Sequence, residues 1–121
     1  PQLLRMREEV RQHLEVAGVQ VTELRDLRSI APELDVVYLT REHTERLQHA
    51  QRFETEGGNY AIDAELLAAL PAEARVLHPL PRGPELPVEL DGDPRVACFR
   101  QAANGLYVRM ALLSLLADAR D

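Results

Sequence analysis

The 121-residue sequence predicts an α/β domain: an open parallel sheet with helices on its flanks. Short runs suited to strands alternate along the chain with stretches of helical periodicity, which favours parallel strands joined by right-handed crossovers. The length fits one domain, able to bury roughly two-thirds of the surface its unfolded chain would expose. No internal repeat or low-complexity tract interrupts the pattern.

Taken in order, Leu3, Met6, Val10, Leu14 and Ala17 recur at three- and four-residue steps, the mark of one apolar helix face, and Gly18 follows as its terminator. Residues 19–24 then read as a strand. Residues 26–34 read as a short helix interrupted near Pro32, and residues 35–39, rich in β-branched and aromatic side chains, as a second strand. A polar, charged stretch with scope for helical turns follows from Thr40, ended by Gly57 and Gly58 in what could serve as a mobile loop. Residues 59–62 suggest a short strand, and Asp63 is a good N-cap for a helix that reaches Leu70 and is closed by Pro71. Residues 74–77 form a further expected strand. An irregular segment holding Pro79, Pro81, Pro84 and Pro87 runs through Pro94. The last element is expected over residues 102–119, a helix apolar on most of its circumference and so in need of burial on several sides.

The net charge of −6 and the scatter of the basic residues, all arginine, argue against a nucleic-acid surface. The absence of lysine reads as a compositional bias toward arginine. No stretch approaches 18 apolar residues and the charged start lacks a signal-peptide core, so no membrane partner and a cytoplasmic location are expected. Cys98 is the single cysteine, which excludes an internal disulfide and suits a small core residue. His13, His43, His49 and His78 show no metal-ligand spacing, and no metal or organic cofactor is expected. The start at Pro1, without a methionine, is taken as a sign that an N-terminal half is missing.

Chemistry concentrates at two strand exits. His78-Pro79-Leu80-Pro81-Arg82 directly follows the run 74–77, and open α/β sheets place their ligands at such exits. The two prolines fix φ and restrict the residues before them, so the turn can present backbone carbonyls in set directions, as an amine would need. His78 is read as fixing this turn through its ring nitrogens, against the alternative of a solvated loop residue. Arg41 follows the run 35–39; if the strands are parallel, both loops emerge at one edge. Its planar fork suits a carboxylate, the alternative being a helical pair with Glu45.

The H-P-L-P-R run resembles a signature of the aspartate carbamoyltransferase family. Three further blocks follow the same pattern in the same order: Leu4-Arg5-Met6; Asp35-Val36-Val37-Tyr38-Leu39-Thr40-Arg41 with Glu45 and Arg46; and Phe99-Arg100-Gln101-Ala102 continuing through Asn104, Gly105 and Arg109 to Leu113. Proline at Pro79, where ornithine-type relatives carry cysteine, favours the aspartate type. The resemblance implies a Rossmann-like aspartate/ornithine-binding domain over residues 1–121, with the N-terminal carbamoyl-phosphate domain outside this chain.

By the same resemblance, Arg41 and His43 bind aspartate, and the backbone of Pro79, Leu80 and Pro81 contacts the carbamoyl group and the incoming amine through a cis Leu80-Pro81 bond. Arg82 and Glu85, with Glu45 and Arg46 in support, help couple two domains, the alternative being an exposed ion pair. Aspartate and carbamoyl phosphate are the implied substrates, the carbamoyl group passing to aspartate for pyrimidine synthesis. A homotrimer or larger assembly is implied too. No S-x-R-T-R-like phosphate motif is found, so this chain alone is expected to be inactive. The pattern departs at His43 and Thr44, where the family usually has Gln and Lys. An imidazole offers a pH-dependent mixture of donor and acceptor in place of an amide's fixed pair, leaving substrate affinity and pH optimum open. It also keeps open a non-catalytic scaffold or regulatory domain. In the last helix, apolar surface around Leu106, Met110 and Leu113 is expected to lie uncovered.

Overall fold

The computed structural model describes residues 5–41 and 60–119. The chain divides into two compact units, Pro1–Ile30 with His43–Tyr60, and Ala31–Glu42 with Ala61–Asp121.

In the first unit, helix α1 spans Glu8–Val16. Arg11 bridges Glu8 and Glu15, three residues before it and four after, the separations at which helix side chains meet. Its C-terminus is a Schellman motif: the Val19 amide donates to the Leu14 carbonyl at 2.9 Å and the Gly18 amide to Glu15 at 3.0 Å. Gly18 makes the reversal at φ +75°, a left-handed conformation that only glycine adopts without a Cβ penalty. The strand expected over residues 19–24 does not form. Val19 and Leu24 remain 48% and 47% exposed, and the Glu23 carboxylate instead accepts the Met6 amide at 3.0 Å. A strand needs a neighbouring ladder, and the sheet among the described residues has only two strands, both elsewhere.

Between the units the chain passes through a 3-10 helix, Arg28–Glu33, containing Pro32. Asp26 accepts the Arg28 amide at 3.0 Å on its side chain and the Ser29 hydroxyl at 2.8 Å on its carbonyl, capping the turn.

The second unit is built on strands β1, Val36–Tyr38, and β2, Arg75–Leu77. They pair in parallel, Val36 opposite Arg75, Val37 opposite Val76 and Tyr38 opposite Leu77. On the other edge of β2, the Val76 amide donates to the Arg95 carbonyl at 2.8 Å and the Val76 carbonyl accepts the Ala97 amide at 2.9 Å, a single parallel bridge to Val96. Helix α2, Ala64–Ala69, lies on the crossover between β1 and β2. The Asp63 side chain caps it by accepting the Leu66 amide at 2.8 Å, and Leu70 leaves the helix into Pro71. Ala31, Val37, Ile62, Leu66, Leu67, Leu70, Ala74, Val76, Leu86 and Cys98 are buried and form the core.

Residues 60–62 are not a strand. Ile62 is fully buried but makes one backbone bond, to the Glu85 carbonyl at 2.9 Å, which anchors the chain without a ladder.

Helix α3, Cys98–Asp118, begins four residues before the expected start at Ala102. The bridge to Val76 delivers the chain at Ala97, whose carbonyl accepts the Gln101 amide at 2.8 Å, so the first turn is set by the sheet. Asn104 and Gly105 lie inside the helix, where one glycine costs only about 1 kcal/mol against alanine. Beyond Cys98 no residue of α3 is buried, and Leu106, Met110 and Leu113 stay exposed, the last at 68%. Among the described residues no helix is long and apolar enough to cross a membrane.

Candidate functional site

The end of the β1–β2 ladder sets the frame. The Leu39 amide donates to the Leu77 carbonyl at 2.9 Å, so the segments that continue as Thr40-Arg41 and as His78-Pro79 leave the sheet side by side from its C-terminal edge. Arg41 is exposed, and among the described residues no hydrogen bond or ion pair holds its guanidinium. His43, Thr44, Glu45 and Arg46, all named from the sequence, lie outside the described residues.

On the second segment His78 is 1% exposed and fully engaged. Its amide donates to Gln101 Oε1 at 3.0 Å, its Nδ1 accepts the Leu80 amide at 2.9 Å, and its Nε2 lies 2.8 Å from Glu85 Oε1. An amide can only donate, so Nδ1 carries no proton here and Nε2 donates to the carboxylate. Leu80 sits at φ +55°, a region leucine rarely visits, and is joined to Pro81 by a cis bond. Pro79 and Pro81 are exposed. Among the described residues no hydrogen bond ends on the carbonyls of Pro79, Leu80 or Pro81.

Glu85 gathers the loop. Its Oε1 also accepts the Gly83 amide at 2.7 Å, and its backbone carbonyl receives the Ile62 amide. Burial pushes its carboxyl up, but the Gly83 amide, its own amide and the His78 imidazole outweigh that and hold it below the ordinary carboxylate value. Arg82 does not pair with Glu85. It forms a two-pronged pair with Asp91, Nη2 to Oδ2 at 2.7 Å, and stacks over Phe99 with 5.2 Å to the ring centre. This hydrogen-bonded pairing raises the Arg82 pKa and lowers that of Asp91.

Gln101 carried no assigned role in the sequence, yet it joins the two exits: beside accepting the His78 amide, its Nε2 donates to the Tyr38 hydroxyl at 3.1 Å. Its place in the F-x-Q-A block was the available signal, masked by the expectation that the helix began after it. A second unforeseen brace is Arg95, which grips Asp93 at 2.9 and 2.7 Å and the Leu70 carbonyl at 2.8 Å, holding the Asp93 carboxyl down to about 2 through its hydrogen bonds.

A groove of about 600 Å³ between the sheet and α3 is lined by residues including Val36, Arg75, Leu77, Gln101, Val108 and Arg109. Neither Arg41 nor the turn 79–81 borders it, so this groove and the chemistry at the strand exits do not coincide. Among the described residues no three His, Cys, Asp or Glu side chains converge on a point that could hold a metal.

A guanidinium and a proline-held turn thus lie at the C-terminal edge of parallel strands, the place where open α/β sheets hold small-molecule ligands. Residues 2–116 match the family described as "Aspartate/ornithine carbamoyltransferase, Asp/Orn binding domain". The chain belongs to that family. It is 46% identical over 118 residues to the aspartate carbamoyltransferase catalytic subunit of Hyperthermus butylicus, covering 97% of this chain and 38% of that one. It is 42% identical over 121 residues to the chloroplastic aspartate carbamoyltransferase of Oryza sativa subsp. japonica, covering 99% and 33%. Among solved structures it resembles aspartate transcarbamoylase from Trypanosoma cruzi in complex with carbamoyl phosphate and aspartate, with a TM-score of 0.81, 32% identity, and coverage of 93% of this chain and 38% of that one. The chain thus spans between a third and two-fifths of the length of these relatives.

Proposed function

We propose that this chain is the aspartate-binding half of an aspartate carbamoyltransferase, which transfers the carbamoyl group of carbamoyl phosphate to the amino group of aspartate in pyrimidine synthesis. The observation that carries the reading is the Leu39–Leu77 rung, which brings the Arg41 segment and the Pro79-Leu80-Pro81 turn to one sheet edge. In this reading Arg41, with His43, grips the carboxylates of aspartate. The Pro79 and Leu80 carbonyls accept hydrogen bonds from its amine and so orient the lone pair toward the carbamoyl carbon. The amine attacks that carbon, the bond to phosphate oxygen breaks, phosphate leaves, and the amine loses a proton. Orientation of two anionic reactants supplies much of the rate without metal or cofactor.

The relatives' greater length supports a partner domain that binds carbamoyl phosphate, contributed by a part of the protein outside these 121 residues; the half described here is inactive without it. The exposed apolar side chains of α3 support a covering surface in such a larger chain or in a homotrimer. A cytoplasmic location is part of the same proposal. The test is carbamoyl aspartate formation by a complete chain, wild type and Arg41→Ala. A large rise in the aspartate KM with the carbamoyl phosphate KM near wild type supports the reading. A complete chain that binds its partners yet makes no carbamoyl aspartate at any aspartate concentration overturns it in favour of a non-catalytic scaffold, the role for which His43 and Thr44 in place of Gln and Lys argue.

A further inference from the structure

We infer that Glu85 is a positioning residue for the amine-contacting turn: by accepting the Nε2 proton of His78 it keeps Nδ1 bare for the Leu80 amide, and through that bond sets the direction of the Pro79 and Leu80 carbonyls. The inference rests on the carbamoyltransferase reading for its catalytic consequence, though the tautomer itself is independent of it.

An imidazole with one ring proton can place it on either nitrogen. With the proton on Nδ1, the Leu80 amide would face another donor, and a residue at φ +55° would lose the bond that holds it there. His78 is 1% exposed, so water cannot easily serve as a substitute partner, and the choice between tautomers falls to what faces Nε2. That group is Glu85, 2.8 Å away. An ionised carboxylate only accepts, so it selects the Nε2–H form; a neutral carboxyl could instead donate to Nε2 and drive the ring to the wrong form. The site keeps it ionised. The Gly83 amide lies on the same carboxylate oxygen at 2.7 Å, and Glu85 is held below the ordinary carboxylate range.

The carboxylate is also fixed in place. The backbone carbonyl of Glu85 is tied to buried Ile62, and its Oε1 is held by both the Gly83 amide and the His78 ring. Glu85 therefore acts through two intermediaries, the imidazole and the Leu80 amide.

The experiment uses a complete carbamoyltransferase chain containing this domain, as wild type, Glu85→Ala, Glu85→Asp and Glu85→Gln. Selective ¹⁵N-histidine NMR reads the His78 tautomer, and steady-state kinetics read the KM for each substrate. Wild type is expected in the Nε2–H form. Loss of the acceptor in Glu85→Ala should mix the tautomers and raise the aspartate KM about tenfold, the equivalent of one hydrogen bond, with the carbamoyl phosphate KM little changed. Glu85→Asp keeps the charge but falls short of Nε2 and should behave alike, so it carries the test if the alanine variant fails to fold. Glu85→Gln retains an acceptor oxygen and should restore both the tautomer and an aspartate KM within about threefold of wild type, a rescue expected of hydrogen bonding rather than charge. An Nε2–H form that persists in Glu85→Ala or Glu85→Asp overturns the inference, as does a tautomer change that leaves the aspartate KM unmoved in an active enzyme. If the wild-type chain makes no carbamoyl aspartate, the function has failed instead, and the tautomer comparison alone decides the role of Glu85.

Discussion

The Leu39 amide and the Leu77 carbonyl, 2.9 Å apart, form the last rung of the β1–β2 ladder and bring two chemically distinct loops to one edge of the sheet. Parallel pairing is what makes this possible, since antiparallel strands would send their exits to opposite edges. Several consequences can be measured.

Arg41→Ala in a complete chain should raise the aspartate KM by about 10- to 100-fold, the range expected for losing a charge-assisted hydrogen-bonded contact worth roughly 1.5–3 kcal/mol. Its exposure and the lack of a described partner mean that the thermal midpoint should stay near wild type. A midpoint that falls while the KM stays put would assign Arg41 to structure.

Gln101→Ala removes the acceptor of the His78 amide and the donor to the Tyr38 hydroxyl together. Leaving a buried amide unpaired costs about 1–3 kcal/mol, so urea denaturation should show a loss of that size. Gln101→Glu, which retains the acceptor oxygen for His78, should recover most of it.

The Asp93 carboxyl titrates near 2 when folded, against an ordinary 3.8, because Arg95 bonds to its charged form. On acidification the unfolded chain therefore takes up its proton first. The stabilisation is complete above 3.8 and disappears as the pH falls through 3.8 toward 2. Because Asp93 keeps 23% of its side chain exposed, solvent screening will make the effect modest. The gap in thermal midpoint between wild type and Asp93→Asn should be open at neutral pH and close below 3.8; a gap of constant size would refute the ion pair as its source.

Gly18→Ala should destabilise the end of α1 by about 1 kcal/mol, because alanine carries a Cβ penalty in the left-handed region. No atom lies within 4 Å of the position a Cβ would take, so the cost is one of backbone conformation alone. Hydrogen exchange at the Gly18 and Val19 amides, whose bonds close the motif, should accelerate with little change in the exchange of β2.

Where a local signal faced no competition from the rest of the molecule, the sequence was a good guide. Asp63 ahead of an apolar helix, Gly18 after one, and the β-branched run around Val37 each appear in the structure as the local chemistry suggests. The failures share one cause. Residues 19–24 and 60–62 have strand-like composition, but a strand exists only if another supplies a ladder, and that supply is not a local property. The last helix starts at Cys98 and not at Ala102 for a related reason: the bridge between Val76 and Val96 delivers the chain there, which no local pattern records.

The sequence alone determined the family, the order of its motif blocks, and the presence of an arginine and a proline-framed turn at two strand exits, because covalent neighbours and short-range φ restrictions survive without tertiary contacts. Only the tertiary structure decided that the exits share an edge, that Glu85 and Gln101 converge on His78 from 7 and 23 residues away, and that Arg82 turns to Asp91 and Phe99. Such partnerships depend on burial. A group taken out of water must find a hydrogen-bond partner wherever the fold brings one close, and no spacing in the sequence records which residue that will be.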